Sequence, residues 1–149
     1  LGLPACNVEP LQVVAYTGGQ EFKEHHDIGT LAADGSVEAV APRRLATIFV
    51  YLNTLPMGQG HTEFPQLGLS ITPKQRQALL FSNVCENGQP DAAAVHCARP
   101  VYGKHIKLGL NIWVTDSNLR DLAITTPGPP ALGPSQAGRG VKRRKKAGP

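Results

Sequence analysis

Apolar residues along this chain fall in short bursts separated by turn signals, and almost nowhere at the spacing of a helix. LQVVAY (11–16), LATIFVYLN (45–53), ALLFSN (78–83), AVHCARPV (94–101) and KLGLNIWV (107–114) are short apolar runs, several of them rich in β-branched and aromatic residues. Runs of that length and make-up, bounded by Gly, Pro, Asn or Ser, read as strands. LSITPKQ (69–75) adds a short strand entering a turn, and QEFKEHHD (20–27) alternates loosely. In KLGLNIWV, Leu108, Leu110, Ile112 and Val114 share one face while Lys107, Gly109, Asn111 and Trp113 share the other, since strand side chains alternate with period 2. Residues 28–44 read as one long loop and 54–68 as turn-rich; a loop that long in a compact domain is more often functional than a mere connector. A short turn around Ser117–Leu122 is the one place with any helical character. Many short strands with turns between them predict an all-β barrel or sandwich.

Composition divides the chain in two. The 149 residues carry fifteen basic and eleven acidic side chains, a net charge of +4. Six of the basic residues (Arg139, Lys142, Arg143, Arg144, Lys145 and Lys146) lie beyond Asp121, where no acid remains. Residues 1–121 therefore hold nine basic against eleven acidic groups, a net of −2, and the basicity belongs to the tail. A core over 1–122 and a Pro/Gly-rich basic tail over 123–149 are predicted. The tail is too poor in large apolar residues to bury a core, and its KRRKK run suits a solvated segment or a polyanion-binding one. No run approaches the roughly 18 apolar residues of a membrane helix. The first residues lack the pattern of a signal peptide, and with no initiator Met the sequence reads as a fragment beginning inside or just before a domain. Cys6, Cys85 and Cys97 show no CxxC spacing, so they fix no redox compartment and leave one disulfide or three free thiols open.

The candidate chemistry lies in EFKEHHDIGT (21–30). On a strand His25 and Asp27 project together and His26 points away, towards packing or solvent. A histidine and a carboxylate converging on one point form two thirds of a 2-His-1-carboxylate site, which leaves coordination positions open for substrate and oxygen on iron(II). His61, His96 and His105 are the candidates for the second histidine.

The spacing around this pair resembles a known family. YTGGQEFKEHHD (16–27) matches the Tyr-x-x-Gly-Gln-x-Tyr/Phe-x-x-His-x-Asp run of the prolyl 4-hydroxylases, which are 2-oxoglutarate- and iron(II)-dependent dioxygenases. RLATIFVYLN (44–53), GQGHTEFP (58–65), ITPKQRQALLFSN (71–83), NGQPDAAAVHCARPV (87–101) and KLGLNIWV (107–114) resemble the family's following segments in order, covering 11–114 in all. The resemblance implies a double-stranded β-helix (jelly-roll, cupin-like) barrel, here without the family's N-terminal helical support. It implies iron(II) on His25, Asp27 and His96. Lys107 would pair with the distal carboxylate of 2-oxoglutarate, Tyr16 and Tyr51 would donate hydroxyl hydrogen bonds to it, and Trp113 would line the pocket, with Gly109 leaving room between Trp113 and Lys107. On this reading His25→Ala loses iron and His26→Ala keeps it.

Departures from the family pattern are local. Lys107 follows His96 by eleven residues where the family has ten, so Lys104 is a rival, although Trp113 stands at the expected distance from Lys107. His61 replaces an acid, and QRQ displaces a turn glycine after Lys74. The implied reaction hydroxylates prolyl residues of a proline-rich peptide or protein with dioxygen, releasing succinate and carbon dioxide, with ascorbate as a further cofactor. The loop at 28–42 would be the lid or substrate contact. Two alternatives stand beside it: a dioxygenase on a non-prolyl substrate, and an inactive or truncated barrel that binds nucleic acid or another polyanion through its tail. The compartment is open; likeness to secretory-pathway members would imply the endoplasmic reticulum.

Overall fold

A computed structural model describes residues 2–125, with side chains placed through Leu122. The expected basic tail lies outside the described residues. Ten strands form two four-stranded antiparallel sheets and a hairpin. The first sheet has the order β1 (Gln12–Tyr16), β10 (Lys107–Thr115), β5 (Arg44–Tyr51), β8 (Ala78–Ser82). The second has the order β2 (Phe22–His25), β9 (His96–Ala98), β6 (Thr62–Phe64), β7 (Leu69–Ile71). β3 (Gly29–Leu31) and β4 (Val37–Ala39) pair with each other. Among the described residues no helix is long and apolar enough to cross a membrane.

β10 is the spine of the first sheet because it pairs with β1 along residues 107–111 and with β5 along 109–115, with Tyr16 opposite Lys107 and Tyr51 opposite Gly109. Lys107, Gly109, Asn111 and Trp113 share one face, as the alternation predicts, and that face is the inward one, as the family resemblance implies. The aliphatic face turns outward: Leu110 and Ile112 are half-buried, and Val13 and Leu80 on the flanking strands are 66% and 71% exposed.

Contacts from sheet to sheet close the barrel. Tyr51 on β5 donates to Thr62 on β6 at 2.8 Å, and Phe64 on β6 meets Phe81 on β8 edge to face, ring centroids 5.0 Å apart. The aromatic pair adds about 1 kcal/mol beyond the area it buries. Gly109 does not leave open space between Lys107 and Trp113: a side chain there would collide with the Phe49 ring, which fills that position from the neighbouring strand. The glycine is needed for the aromatic ring, and the ring in turn walls the pocket.

Two segments read as loops contain strands. The supposed long loop folds as the β3–β4 hairpin about Asp34 and Gly35; the Asp34 carboxylate accepts from the Ser36 amide at 2.9 Å, and Gly35 takes φ +84°. Asp-Gly at the tip is a hairpin signal in its own right. β6 is only three residues long, and it is a strand because β9 and β7 pair with it on either side. The expected turn near Ser117–Leu122 is the helix α1, Leu119–Thr125. The thiols of Cys6, Cys85 and Cys97 are all free.

Candidate active site

β2 ends at His25, and Asp27 sits in the turn that follows, not on a continuing strand. His25 pairs directly with His96 across the β2–β9 ladder, which brings the distant histidine to the near pair. One ligand atom from each of His25, Asp27 and His96 can be chosen so that all lie within 4.8 Å of one another. His61, half-buried just before β6, and His105, exposed just after the turn at 103–104, do not join them.

The hydrogen bonds around these three residues determine which atoms face inward. His25 Nδ1 lies 2.8 Å from the Lys23 carbonyl and His96 Nδ1 lies 2.9 Å from the Ala94 carbonyl. A carbonyl only accepts, so both Nδ1 atoms carry the hydrogen and both Nε2 atoms present bare lone pairs. Asp27 Oδ2 accepts from Thr47 Oγ1 at 2.6 Å and from Trp113 Nε1 at 3.1 Å, leaving Oδ1 for the centre. Asp27 Oδ1 lies 3.5 Å from His25 Nε2 and 4.0 Å from His96 Nε2. Three acceptor atoms converging in a largely buried spot repel one another, and a cation among them relieves that. Two imidazole nitrogens and one carboxylate oxygen with room left over are the donor set of a non-haem iron(II) site. The residues present fit the metal.

The neighbours are apolar or directional. Phe81 and Phe64 flank the His96 ring at centroid distances of 5.0 and 5.4 Å, and Phe22 meets His25 at 4.0 Å. Thr47 is itself aimed: Asn83, fully buried, donates from Nδ2 to Thr47 Oγ1 at 2.9 Å, so the threonine's own hydrogen must go to Asp27.

Burial pushes the His96 imidazole down to about 4. Asp27 is held well below the usual carboxylate range: burial would raise it, but a hydrogen bond from the His25 ring in its charged form, the positive charge of His96 in its charged form and the Thr47 hydroxyl together outweigh burial. Both folded values lie under their unfolded ones, near 6.5 and 3.9. The stability these groups contribute is therefore fully present above pH about 6.5, and is lost as pH falls, first through protonation of His96 in the unfolded chain. The metal-free protein should lose about 3 kcal/mol between pH 7 and pH 4, at about 1.4 kcal/mol per pKa unit; urea melts across that range would show it, and a flat profile would contradict it.

The site floors a cavity of about 1300 Å³ whose walls include Tyr16, Thr62, Lys107, Trp113 and Arg44. Lys107 is 1% exposed, and its Nζ lies 5.5–5.8 Å from the ring centroids of Tyr16, Phe49 and Tyr51. Its one hydrogen bond is to Thr62 Oγ1 at 3.3 Å, and among the described residues no carboxylate lies within ion-pair distance of it. Burial lowers its pKa to about 8. A buried ammonium without a partner is costly unless a ligand supplies the anion. Lys104, by contrast, stands exposed in the turn that absorbs the extra residue.

Comparison with known proteins agrees with this geometry. Residues 11–115 match the family profile described as the 2OG-Fe(II) oxygenase superfamily. The chain belongs to this superfamily. The jelly-roll barrel expected from the sequence and the prolyl 4-hydroxylase likeness are both borne out. Prolyl 4-hydroxylase subunit alpha-1 of Gallus gallus is 32% identical over 121 residues, 80% of this chain and 22% of that protein. A putative prolyl 4-hydroxylase of Acanthamoeba polyphaga mimivirus is 32% identical over 114 residues, 74% of this chain and 46% of its own length. The structure of the viral collagen prolyl hydroxylase vCPH of Paramecium Bursaria Chlorella virus-1, a 2OG complex, superposes with TM-score 0.63 at 30% identity, over 74% of this chain and 60% of that one. The chain thus spans between about a fifth and a half of the curated relatives it matches.

Within this oxygenase barrel the sequence-predicted site residues divide. His25, Asp27, His96, Tyr16, Lys107 and Trp113 all line the cavity. Tyr51 is fully buried instead and spends its hydroxyl on Thr62, so it braces the residue that holds Lys107. Trp113 serves as a wall and also as a donor to Asp27, with the Arg44 guanidinium 3.5 Å over its ring. Thr47, Thr62 and Asn83 went unread in the sequence. Thr47 had a signal, being the polar residue on the inner face of an otherwise apolar strand; Thr62 had none, since its strand was not recognised.

Proposed function

We propose that this chain is the catalytic barrel of a 2-oxoglutarate- and iron(II)-dependent dioxygenase that hydroxylates prolyl residues in proline-rich peptides. One observation carries the reading: three bare acceptor atoms converge at the floor of a cavity whose wall holds a buried ammonium with no anion. His25, Asp27 and His96 would hold iron(II), and Lys107 would pair with the far carboxylate of 2-oxoglutarate. A charged partner in so dry a place binds strongly and sets the co-substrate's direction. Iron bound there supplies the oxidative chemistry that converts 2-oxoglutarate and dioxygen to succinate and carbon dioxide while a C–H bond becomes C–OH.

The chain's own residues do the rest. Thr47 and Trp113 keep Asp27 turned with one oxygen inward, Thr62 steadies Lys107, and the phenylalanines about His96 shield its ring from water. Tyr16, whose hydroxyl burial holds protonated, stands beside Lys107 as a further donor. The prolyl substrate is supported by the names of the relatives and by the cavity's extent past Trp113 and Arg44, ample for an extended chain; polyproline II peptides suit such a groove.

The test is an assay with iron(II), 2-oxoglutarate, ascorbate and a peptide of Pro-Pro-Gly repeats. Succinate release coupled to a 16 Da gain on proline is expected. Succinate without hydroxyproline would redirect the reading to another substrate, and failure to bind iron or turn over 2-oxoglutarate would sink it in favour of a binding module.

A further inference from the structure

We propose that His26 is a positioning residue: its ring clamps the turn carrying Asp27 to the segment carrying His96 and thereby sets the affinity of the metal site. The proposal rests on the metal reading of His25, Asp27 and His96. It departs from the expectation that His26 is dispensable.

His26 does point away from the cluster as strand alternation requires, yet it is only 3% exposed. Both ring nitrogens are engaged by backbone. The Ile28 amide donates to Nδ1 at 3.2 Å, so Nδ1 is the bare nitrogen. Nε2 must then carry the hydrogen, and it donates to the Asp91 carbonyl at 2.9 Å, sixty-five residues on. The first bond shapes the local turn; the second crosses to the other ligand segment.

Asp91 organises the approach to His96. Its carbonyl also accepts from the Ala94 amide at 2.9 Å, its carboxylate accepts from the Ala93 amide at 3.0 Å, and Ala94's own carbonyl orients the His96 ring. The Asp91 amide donates to the Asn83 carbonyl at 3.0 Å, and the Asn83 side chain aims Thr47 at Asp27. The hydrogen bonds therefore run from His26 through Asp91, Asn83 and Thr47 back to Asp27, the next residue in the chain. Asp27 is a member of this closed ring, His96 hangs on it through Ala94, and His25 adjoins it as the residue before His26.

The β2–β9 ladder does not hold the turn by itself. Its register is broken between Phe22 and His25, and its last pair is His25 with His96, before Asp27 is reached. Beyond that pair, the His26–Asp91 bond is the direct tie between the turn and the other segment, beside the longer route through Thr47 and Asn83. An aromatic ring without nitrogens would fill the same space but leave the Ile28 amide unpaired and the crossing bond unmade.

The two bonds can be separated by substitution. Gln at this position can carry its amide N–H to the Asp91 carbonyl, while Asn can accept from Ile28 but is too short to reach Asp91. Cobalt(II) titrations would be run on the wild type, His26→Gln, His26→Asn and His26→Phe, with thermal melts of each metal-free protein alongside. Cobalt affinity is expected to weaken about tenfold in His26→Asn and at least as much in His26→Phe, the range for residues that orient metal ligands. His26→Gln should stay within about threefold of wild type, whatever its melting temperature. Wild-type affinity in His26→Asn, or equal weakening in Asn and Gln variants that follows their melting temperatures, would overturn the proposal while leaving the metal site standing. No cobalt uptake by the wild type would overturn the metal reading, and this proposal with it.

Discussion

His25→Ala, Asp27→Ala and His96→Ala variants are each expected to lose hydroxylation altogether and to bind iron(II) more than about 100-fold more weakly. The size follows from a comparison: residues that merely orient a ligand are worth about 10–100-fold in affinity, so a ligand itself must be worth more. The three should not behave alike in the metal-free state. Asp27 is the anion against which the two imidazoles stand at 3.5 and 4.0 Å, and it also satisfies Thr47 and Trp113. Removing it strands two buried donors, at about 1–3 kcal/mol each. Asp27→Ala should therefore melt lowest, and His25→Ala, the most exposed of the three side chains at 26%, should melt nearest to wild type. Iron titration paired with calorimetry separates these outcomes; retention of tight iron binding by any one variant would remove that residue from the site.

Lys107→Ala is expected to raise the KM for 2-oxoglutarate by on the order of 100-fold while leaving iron affinity unchanged. Truncating one partner of a buried charge pair costs about 3 kcal/mol, and each 1.4 kcal/mol is tenfold. Lys107 is also the group whose titration should be visible. With its pKa lowered by burial to about 8, the free protein holds an ammonium at neutral pH and loses it progressively above pH 8. Pairing with a carboxylate needs the cation, so the KM for 2-oxoglutarate should be flat below about pH 8 and rise above it, and binding should take up a proton on the alkaline side. Lys107→Arg, charged at every accessible pH, should abolish that rise even if the larger head lowers the affinity overall. A KM that keeps the same alkaline rise in the Arg variant would assign the titration to another group.

His26 shows how far local reading carries and where it stops. Alternation correctly turned it away from His25 and Asp27, yet said nothing of what it would meet on the other side. It meets the carbonyl of Asp91, which β-sheet pairing, not sequence proximity, brings there. The same holds for Thr62: its strand is three residues long and has no pattern of its own, and it becomes a strand because β9 and β7 flank it. The β3–β4 hairpin was a different kind of omission, since its Asp-Gly turn was on view in the sequence.

Taken by itself, the sequence determined the strands β1, β5, β8 and β10, the inward face of β10, and the ordered motifs that name His25, Asp27 and His96. These are legible because a strand's period of two sorts side chains into two faces within a few residues, and because the motifs' resemblance to the prolyl 4-hydroxylases implies which face looks inward and which histidine joins His25 and Asp27. Only the tertiary structure decided that Lys107 and not Lys104 is the buried cation, that Tyr51 serves Thr62, that Phe49 fills the space over Gly109, that Asn83 stands behind Thr47 and Asp27, and that His26 reaches Asp91. Each of those depends on partners brought together by the pairing of strands distant in the chain. Whether a polar side chain is solvated, buried or paired is a property of that assembly, and no local pattern encodes it.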